Sequence, residues 1–83
     1  MNVIMTPKTL ATLQPGESAI VDSLHSSGLE RRRMMDLGIV PGTVITAEFA
    51  SPLQDPVAYR VRDALVALRH EQACLIHLRE EKS

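Results

Sequence analysis

The chain has 83 residues and a net charge of −1, which limits it to one domain of modest stability. Hydrophobic residues make up 45% and charged residues 23% of the sequence, as is typical of a globular domain and not of a disordered chain. The near-neutral charge and an aromatic content of 2% disfavour nucleic-acid binding, which uses basic surfaces and aromatic stacking.

The cysteine content and the absence of long apolar runs predict a cytoplasmic location. A single cysteine, Cys74, excludes an internal disulfide and is typical of a reducing compartment. No apolar run approaches the roughly 20 residues that span a bilayer, and the N-terminus lacks a signal-peptide pattern. We expect a flexible lead-in over 1–8, a folded domain over 9–79 and a charged tail over 80–83.

The first elements are predicted to be one helical turn and one strand. The turn passes through Leu10 and Leu13 and ends at a Pro-Gly pair, and we expect both leucines to plug one end of the core. The segment Glu17–Leu24 then predicts a strand. Its alternation is imperfect, because Val21 and Leu24 fall on opposite faces of a regular strand.

A short helix is predicted over Leu29–Leu37. Its residues Leu29, Arg33, Met34 and Leu37 are spaced to share one face. Of the adjacent Met34 and Met35, one is expected to pack inward and the other to remain outside. Gly38 can adopt the left-handed conformation that ends a helix, and Pro41 prevents the helix from resuming, so Ile39 can fold back onto it.

The second half of the chain predicts four strands, Val44–Ala50, Val57–Val61, Ala64–Leu68 and Cys74–Arg79. The apolar composition of the third indicates a buried strand, and a helical turn over 69–73 precedes the last. In that last strand the residues expected to face inward are Cys74, Ile76 and Leu78. The whole pattern predicts a mainly β fold, a small closed or nearly closed barrel of about five strands. One short α-helix follows the first strand and a helical turn precedes the last.

Four motifs occur in a characteristic order: Pro15-Gly16-Glu17, then Met35-Asp36-Leu37-Gly38-Ile39-Val40-Pro41-Gly42-Thr43, then Asp55-Pro56 and Val66-Ala67-Leu68-Arg69. From about Thr9 to Leu78 the chain therefore resembles the FeoA family, small bacterial proteins of ferrous-iron uptake. The hairpin loop of that family often reads Pro-Leu-Gly-Asp-Pro. Here Gln54 replaces the glycine, a departure that bears on the backbone of the loop.

The resemblance implies an SH3-like barrel and a cytosolic accessory role toward FeoB, the membrane transporter of ferrous iron that carries a cytoplasmic G domain. A similar module is appended to metal-dependent repressors of the diphtheria-toxin-repressor type. Because the chain has no room for their other domains, we expect a free-standing protein.

The run Arg31-Arg32-Arg33 is the most conspicuous charge cluster. Arginines dock acidic surfaces and phosphates, and an arginine finger for GTP hydrolysis is a further alternative. Successive helical residues point about 100° apart, so at least one arginine is expected to lie on a solvated face. The predicted partner-binding residues, on the helix and on the hairpin loop, are Arg31, Arg32, Met35, Leu53 and Gln54.

His70, Cys74 and His77 carry groups that bind zinc or ferrous iron. On one helix the three would share a face, whereas a strand would place Cys74 and His77 on opposite sides. No complete metal-ligand motif is present, so a core cysteine and two surface histidines are favoured. His70 with Glu71 is the candidate for a weakly bound iron or zinc ion, including one held between two molecules.

No phosphate-binding loop, dinucleotide fingerprint or catalytic-triad signature occurs in the sequence, so we predict no enzymatic activity and no required cofactor. The first hypothesis is an accessory protein that binds FeoB and contacts the membrane only through that transporter. The alternative is a divalent-metal-responsive sensor related to the repressor modules. We expect a monomer or a weak, metal-bridged oligomer.

Overall fold

The computed structural model describes residues 8–79, so the predicted tail 80–83 and all of the predicted lead-in except Lys8 lie outside the described residues. A 3₁₀ turn at Leu10–Thr12 opens the described part. The helices and strands that follow are β1 (Ser18–Leu24), α1 (Gly28–Asp36), β2 (Val44–Ala50), β3 (Val57–Val61), β4 (Ala64–Leu68), α2 (His70–Ala73) and β5 (Ile76–Leu78).

The strands form one antiparallel sheet in the order β4-β3-β2-β1-β5, which confirms the predicted mainly β fold and its element order. The sheet does not close into a barrel within residues 8–79, since β4 and β5 do not pair. The N-terminal segment explains why: Thr9 forms a β-bridge with His77, and the N–H of Leu78 donates to the carbonyl of Lys8 at 2.8 Å. The outer edge of β5 is therefore already occupied.

An irregularity in β1 explains its imperfect sequence pattern. The pairing of β1 with β5 shifts register between Val21 and Ser23, as at a β-bulge. Because an extra residue in a strand reverses the alternation beyond it, Val21 and Leu24 both point into the core and are 0% and 8% exposed.

The core lies between the sheet and the helices and is almost entirely aliphatic. Leu10 and Leu13 are both buried, as predicted for the residues that plug its end. Tyr59 is its one aromatic side chain among the described residues. The largest fully buried side chains are Tyr59, Leu10, Met34, Ile39, Ile45, Ile76, Val21 and Val61.

Burial of Tyr59 raises the pKa of its hydroxyl above the ordinary value of 10.0, and the negative charges of Asp55 and Cys74 add to this shift. The unfolded chain ionises its tyrosine first, so above pH 10 the folded state binds more protons than the unfolded state. The free energy of unfolding is therefore expected to fall as the pH rises above about 10.

The single tyrosine and the absence of tryptophan allow this pKa to be read directly from ultraviolet absorbance. We expect a higher titration midpoint in the native protein than in urea. Tyr59→Phe should remove the tyrosine contribution to the pH dependence of stability. Equal midpoints in the two states would contradict the assigned burial of the hydroxyl.

The corner after α1 is a Schellman motif. The N–H of Gly38 donates to the carbonyl of Met35 and that of Ile39 to Met34, both at 3.0 Å. Gly38 has φ +94°, in the left-handed region where glycine is favoured. Ile39 is fully buried, so its prediction as the residue that folds back is confirmed.

The prediction that β4 is a buried strand is wrong, and α1 is less buried than its apolar residues suggest. Leu29 is 83% exposed, because it lies in the first turn of α1, and only Met34 of that helix is buried. In β4, Val66 and Leu68 are buried but Leu65 and its outward neighbours are exposed. β4 is an edge strand of the sheet, and the core covers only one of its faces.

The predicted start of the last strand is also wrong. Cys74 follows α2 as its C-cap, and its N–H donates to the carbonyl of His70 at 2.9 Å. The strand begins only at Ile76, so Cys74 is half-buried and does not lie in the core. Ile76 and Leu78 face inward as predicted.

Candidate partner-binding surface and metal ligands

The three consecutive arginines of α1 lie in three different environments, as their angular spacing predicts. The Nη1 of Arg31 donates to the carbonyl of Leu24 at 2.9 Å, which ties the helix to the end of β1. The Arg32 side chain is exposed, and Arg33 lines a groove beside β4. Arg31 therefore has a structural contact in addition to any role in binding.

One of the two adjacent methionines packs inward and the other remains outside, as predicted: Met34 is 2% exposed and Met35 is 47% exposed. Met35 follows Arg31 by four residues and Arg32 by three, the spacings that make helical residues neighbours. Three of the predicted partner-binding residues thus form one continuous surface on α1, which we call the arginine face (Arg31, Arg32 and Met35).

The other two predicted partner-binding residues lie in the loop between β2 and β3. Leu53 is 88% exposed. Gln54 has φ +65°, the left-handed conformation that glycine favours, and its N–H donates to the carbonyl of Ser51 at 2.7 Å. The replacement of glycine noted in the sequence is accommodated in this turn. No hydrogen bond or ion pair joins this loop to α1 in the described part of the chain, so the predicted residues form two surfaces.

The loop instead contacts α2. Asp55 Oδ1 accepts the backbone N–H of His70 at 2.9 Å, at the first residue of that helix. The carboxylate thereby satisfies an N–H group that the helix itself leaves without a partner. The position of the hairpin loop is therefore coupled to the position of His70.

The predicted metal ligands are only partly brought together. The Nε2 of His70 and the Sγ of Cys74 lie 3.3 Å apart, one helical turn from each other, while Glu71 is exposed beside them. Residues 8–79 contain no group of three or more His, Cys, Asp or Glu side chains that could hold a metal ion. The pair His70–Cys74 offers one imidazole and one thiol, two of the four ligands that zinc takes.

His77 lies apart from this pair and stacks on His25, with ring centroids 3.8 Å apart. The Nε2 of His25 is also 3.0 Å from the Oγ of Ser23. This cluster could not be predicted from the sequence, because its residues become neighbours only when β1 pairs with β5. No local pattern in the sequence signals that pairing.

Comparison with known proteins identifies the family of this chain. The model of the FeoA domain matches residues 8–80. The chain belongs to the FeoA family. The resemblance predicted from the sequence motifs is confirmed. None of the helices in residues 8–79 is long and apolar enough to cross a membrane.

Two solved structures show the same architecture. The FeoA protein of Chlorobium tepidum is 33% identical, with a TM-score of 0.80 over 84% of this chain and 67% of that one. The FeoA of Stenotrophomonas maltophilia, a prokaryotic SH3 domain protein complexed with zinc, is 28% identical. It has a TM-score of 0.75 and covers 86% of this chain and 88% of that one. The predicted SH3-like fold is thus confirmed.

A curated relative links the family to ferrous iron transport. A fusion of Fe(2+) transport protein A with the Fe(2+) transporter FeoB, from Porphyromonas gingivalis, is 38% identical over 69 residues, or 83% of this chain. The match spans only 8% of the length of the fusion protein. In that relative the FeoA and FeoB parts belong to one polypeptide.

Proposed function

We propose that this chain is a cytoplasmic, non-enzymatic accessory protein of bacterial ferrous iron uptake. It binds a FeoB-type transporter at the cytoplasmic G domain of that transporter. The fusion of a 38% identical relative to FeoB is the observation that carries the proposal. Covalent linkage keeps two modules at a high effective concentration, which supports their action as one unit. Where the two modules are separate chains, a binding surface must replace that linkage.

The arginine face suits this role. Arg32 presents an exposed guanidinium and Met35 an exposed thioether, a combination that fits an acidic surface with apolar patches. Arg31 is held against β1 by its bond to Leu24, so its remaining N–H donors are fixed in position. Leu53 and Gln54 add a second contact on the hairpin loop.

Charge reversal of Arg32 tests the proposal. We expect Arg32→Glu to weaken binding to the isolated G domain of the matching transporter about tenfold or more, because it replaces attraction by repulsion. Arg32 is preferred to Arg31, since Arg31→Glu would also break the bond to Leu24. Calorimetry in each nucleotide state measures the affinity.

Arg79→Glu is the matched control, because Arg79 is exposed and follows β5, outside the two surfaces. Equal affinities of the Arg32 and Arg79 variants would remove the arginine face from the interface. Absence of binding by the unaltered protein in every nucleotide state would contradict direct binding to the G domain.

A metal-responsive module is the second candidate function. It is favoured by the 3.3 Å approach of His70 and Cys74, since two copies of the pair would supply the four ligands of a zinc site. The same calorimetry, repeated anaerobically with zinc or ferrous iron, separates the two functions. Binding to the G domain that requires metal and is lost in His70→Ala would favour the sensor. Binding to the G domain without metal would exclude this role for the His70–Cys74 pair.

A further inference from the structure

A groove of about 460 Å³ runs between α1, β4 and the start of α2. Its apolar lining includes Leu37 and Leu65, and arginines Arg33 and Arg69 also line it. None of its lining residues carries a carboxylate. Glu30 is not part of the lining, and its Oε2 accepts a hydrogen bond from the Nε2 of Gln72 at 3.0 Å. The groove therefore combines an apolar surface with positive charge.

Neither arginine has an ionic partner among the described residues. Within residues 8–79 the structure records one ion pair, between Arg60 and Glu48. Arg33 and Arg69 come from different elements, α1 and the residue before α2, and both face the same groove. Guanidinium groups bind carboxylates through paired, charge-assisted hydrogen bonds, so the groove is complementary to an acidic ligand.

The edge of β4 contributes backbone groups to the same groove. A two-residue turn joins β3 to β4, so Val61 and Ala64 form the hydrogen-bonded pair that closes the hairpin. The hydrogen-bonded pairs then alternate, and the N–H and C=O groups of Leu65 and Ala67 point away from β3. Both residues line the groove, and no other described strand pairs with this edge.

We propose that the groove binds an extended acidic segment of a partner protein, which adds to the sheet as a strand beside β4 and sets its carboxylates against Arg33 and Arg69. The open backbone groups of Leu65 and Ala67 define the extended conformation, since an added strand satisfies them in register. Apolar side chains of the segment would cover Leu65 at the groove.

A second copy of this chain is the competing occupant, and charge disfavours it. Pairing of two β4 edges would bring two sets of Arg33 and Arg69 together, and like charges at an interface oppose association. The inference also stands apart from the proposed transporter contact, because it uses neither the arginine face nor the hairpin loop. Either can fail without the other.

A blocked six-residue peptide of alternating glutamate and valine is the probe. Titrated into the ¹⁵N-labelled protein, it is expected to shift the amide signals of Leu65 and Ala67 most and to slow their hydrogen exchange. The double variant Arg33→Glu/Arg69→Glu should bind it at least about tenfold more weakly, while Arg79→Glu should bind it as the unaltered protein does. If the double variant and Arg79→Glu bound the peptide with equal affinity, Arg33 and Arg69 would not be the groups that bind its carboxylates.

Modified peptides test the strand pairing without altering the protein. Two versions, N-methylated at the odd or the even residues, keep all side chains but block opposite edges of the added strand. Loss of binding by only one version supports the proposal, and equal binding by both overturns it. A lysine-valine peptide that binds equally well, or dilution-dependent shifts of Leu65 and Ala67 without peptide, would overturn it as well.

Discussion

Ile39→Ala is expected to lower the free energy of unfolding by about 2–5 kcal/mol, the range for large-to-small changes at fully buried aliphatic positions. Ile39 is 0% exposed, and its N–H also closes the Schellman motif on Met34. The truncated side chain would leave a cavity where helix, corner and sheet meet. A domain of this size has a total stability of about 4–12 kcal/mol, so the loss is a large share of it.

Urea denaturation followed by circular dichroism measures this effect, since the chain has no tryptophan for fluorescence. Leu53→Ala is the control, because Leu53 is 88% exposed and should change the stability by less than about 0.5 kcal/mol. If the two variants shared one denaturation midpoint, Ile39 would not be a core residue.

Gly38→Val is expected to destabilise the protein by about 2–3 kcal/mol, because a β-branched residue is strained at positive φ. Gly38 has φ +94°, whereas Arg62, which is not glycine, has φ +57°, inside the left-handed well. A Cβ at Gly38 would meet its nearest side-chain atom, Val61 Cγ1, at 3.5 Å, an ordinary contact. The expected cost is therefore in the backbone and not in a clash.

Gly38→Ala separates the cost of adding any Cβ at this position from the further cost of β-branching. Alanine should lose about 1–2 kcal/mol, the penalty of any Cβ in a left-handed conformation, and valine more, as measured by the same urea denaturation. A Gly38→Val protein with unchanged stability but no affinity for the transporter domain would instead place the corner in the binding surface.

Most of the fold could be predicted because its signals are local. Gly38 and Pro41 determine the end of α1 and the start of the next strand from neighbouring residues alone, and alternation determines the β2 and β3 strands. The exposure of Leu29 could not be predicted, because its burial depends on whether the sheet reaches the first turn of α1. Cys74 was misassigned because two extra residues of turn after α2 delay the last strand, and a run of apolar residues does not reveal such a delay.

The candidate surfaces could also be predicted only where they depend on local spacing in the sequence. The outward position of Met35 and its proximity to Arg32 follow from helical spacing. The presence of Arg33 and Arg69 in one groove could not be predicted. The two residues are distant in the chain and come together only when β4 folds beside α1. The stacking of His25 on His77 depends on strand order for the same reason.

The two rims of the sheet are unlike, and this difference limits how the protein can polymerise. Edge-to-edge growth of a sheet into a fibre needs two open rims on every molecule. Within residues 8–79, Thr9 and Lys8 occupy the rim at β5, and no strand pairs with the outer edge of β4. Pairing of two molecules of this chain through β4 would therefore stop at a pair, because each molecule would use its one open rim.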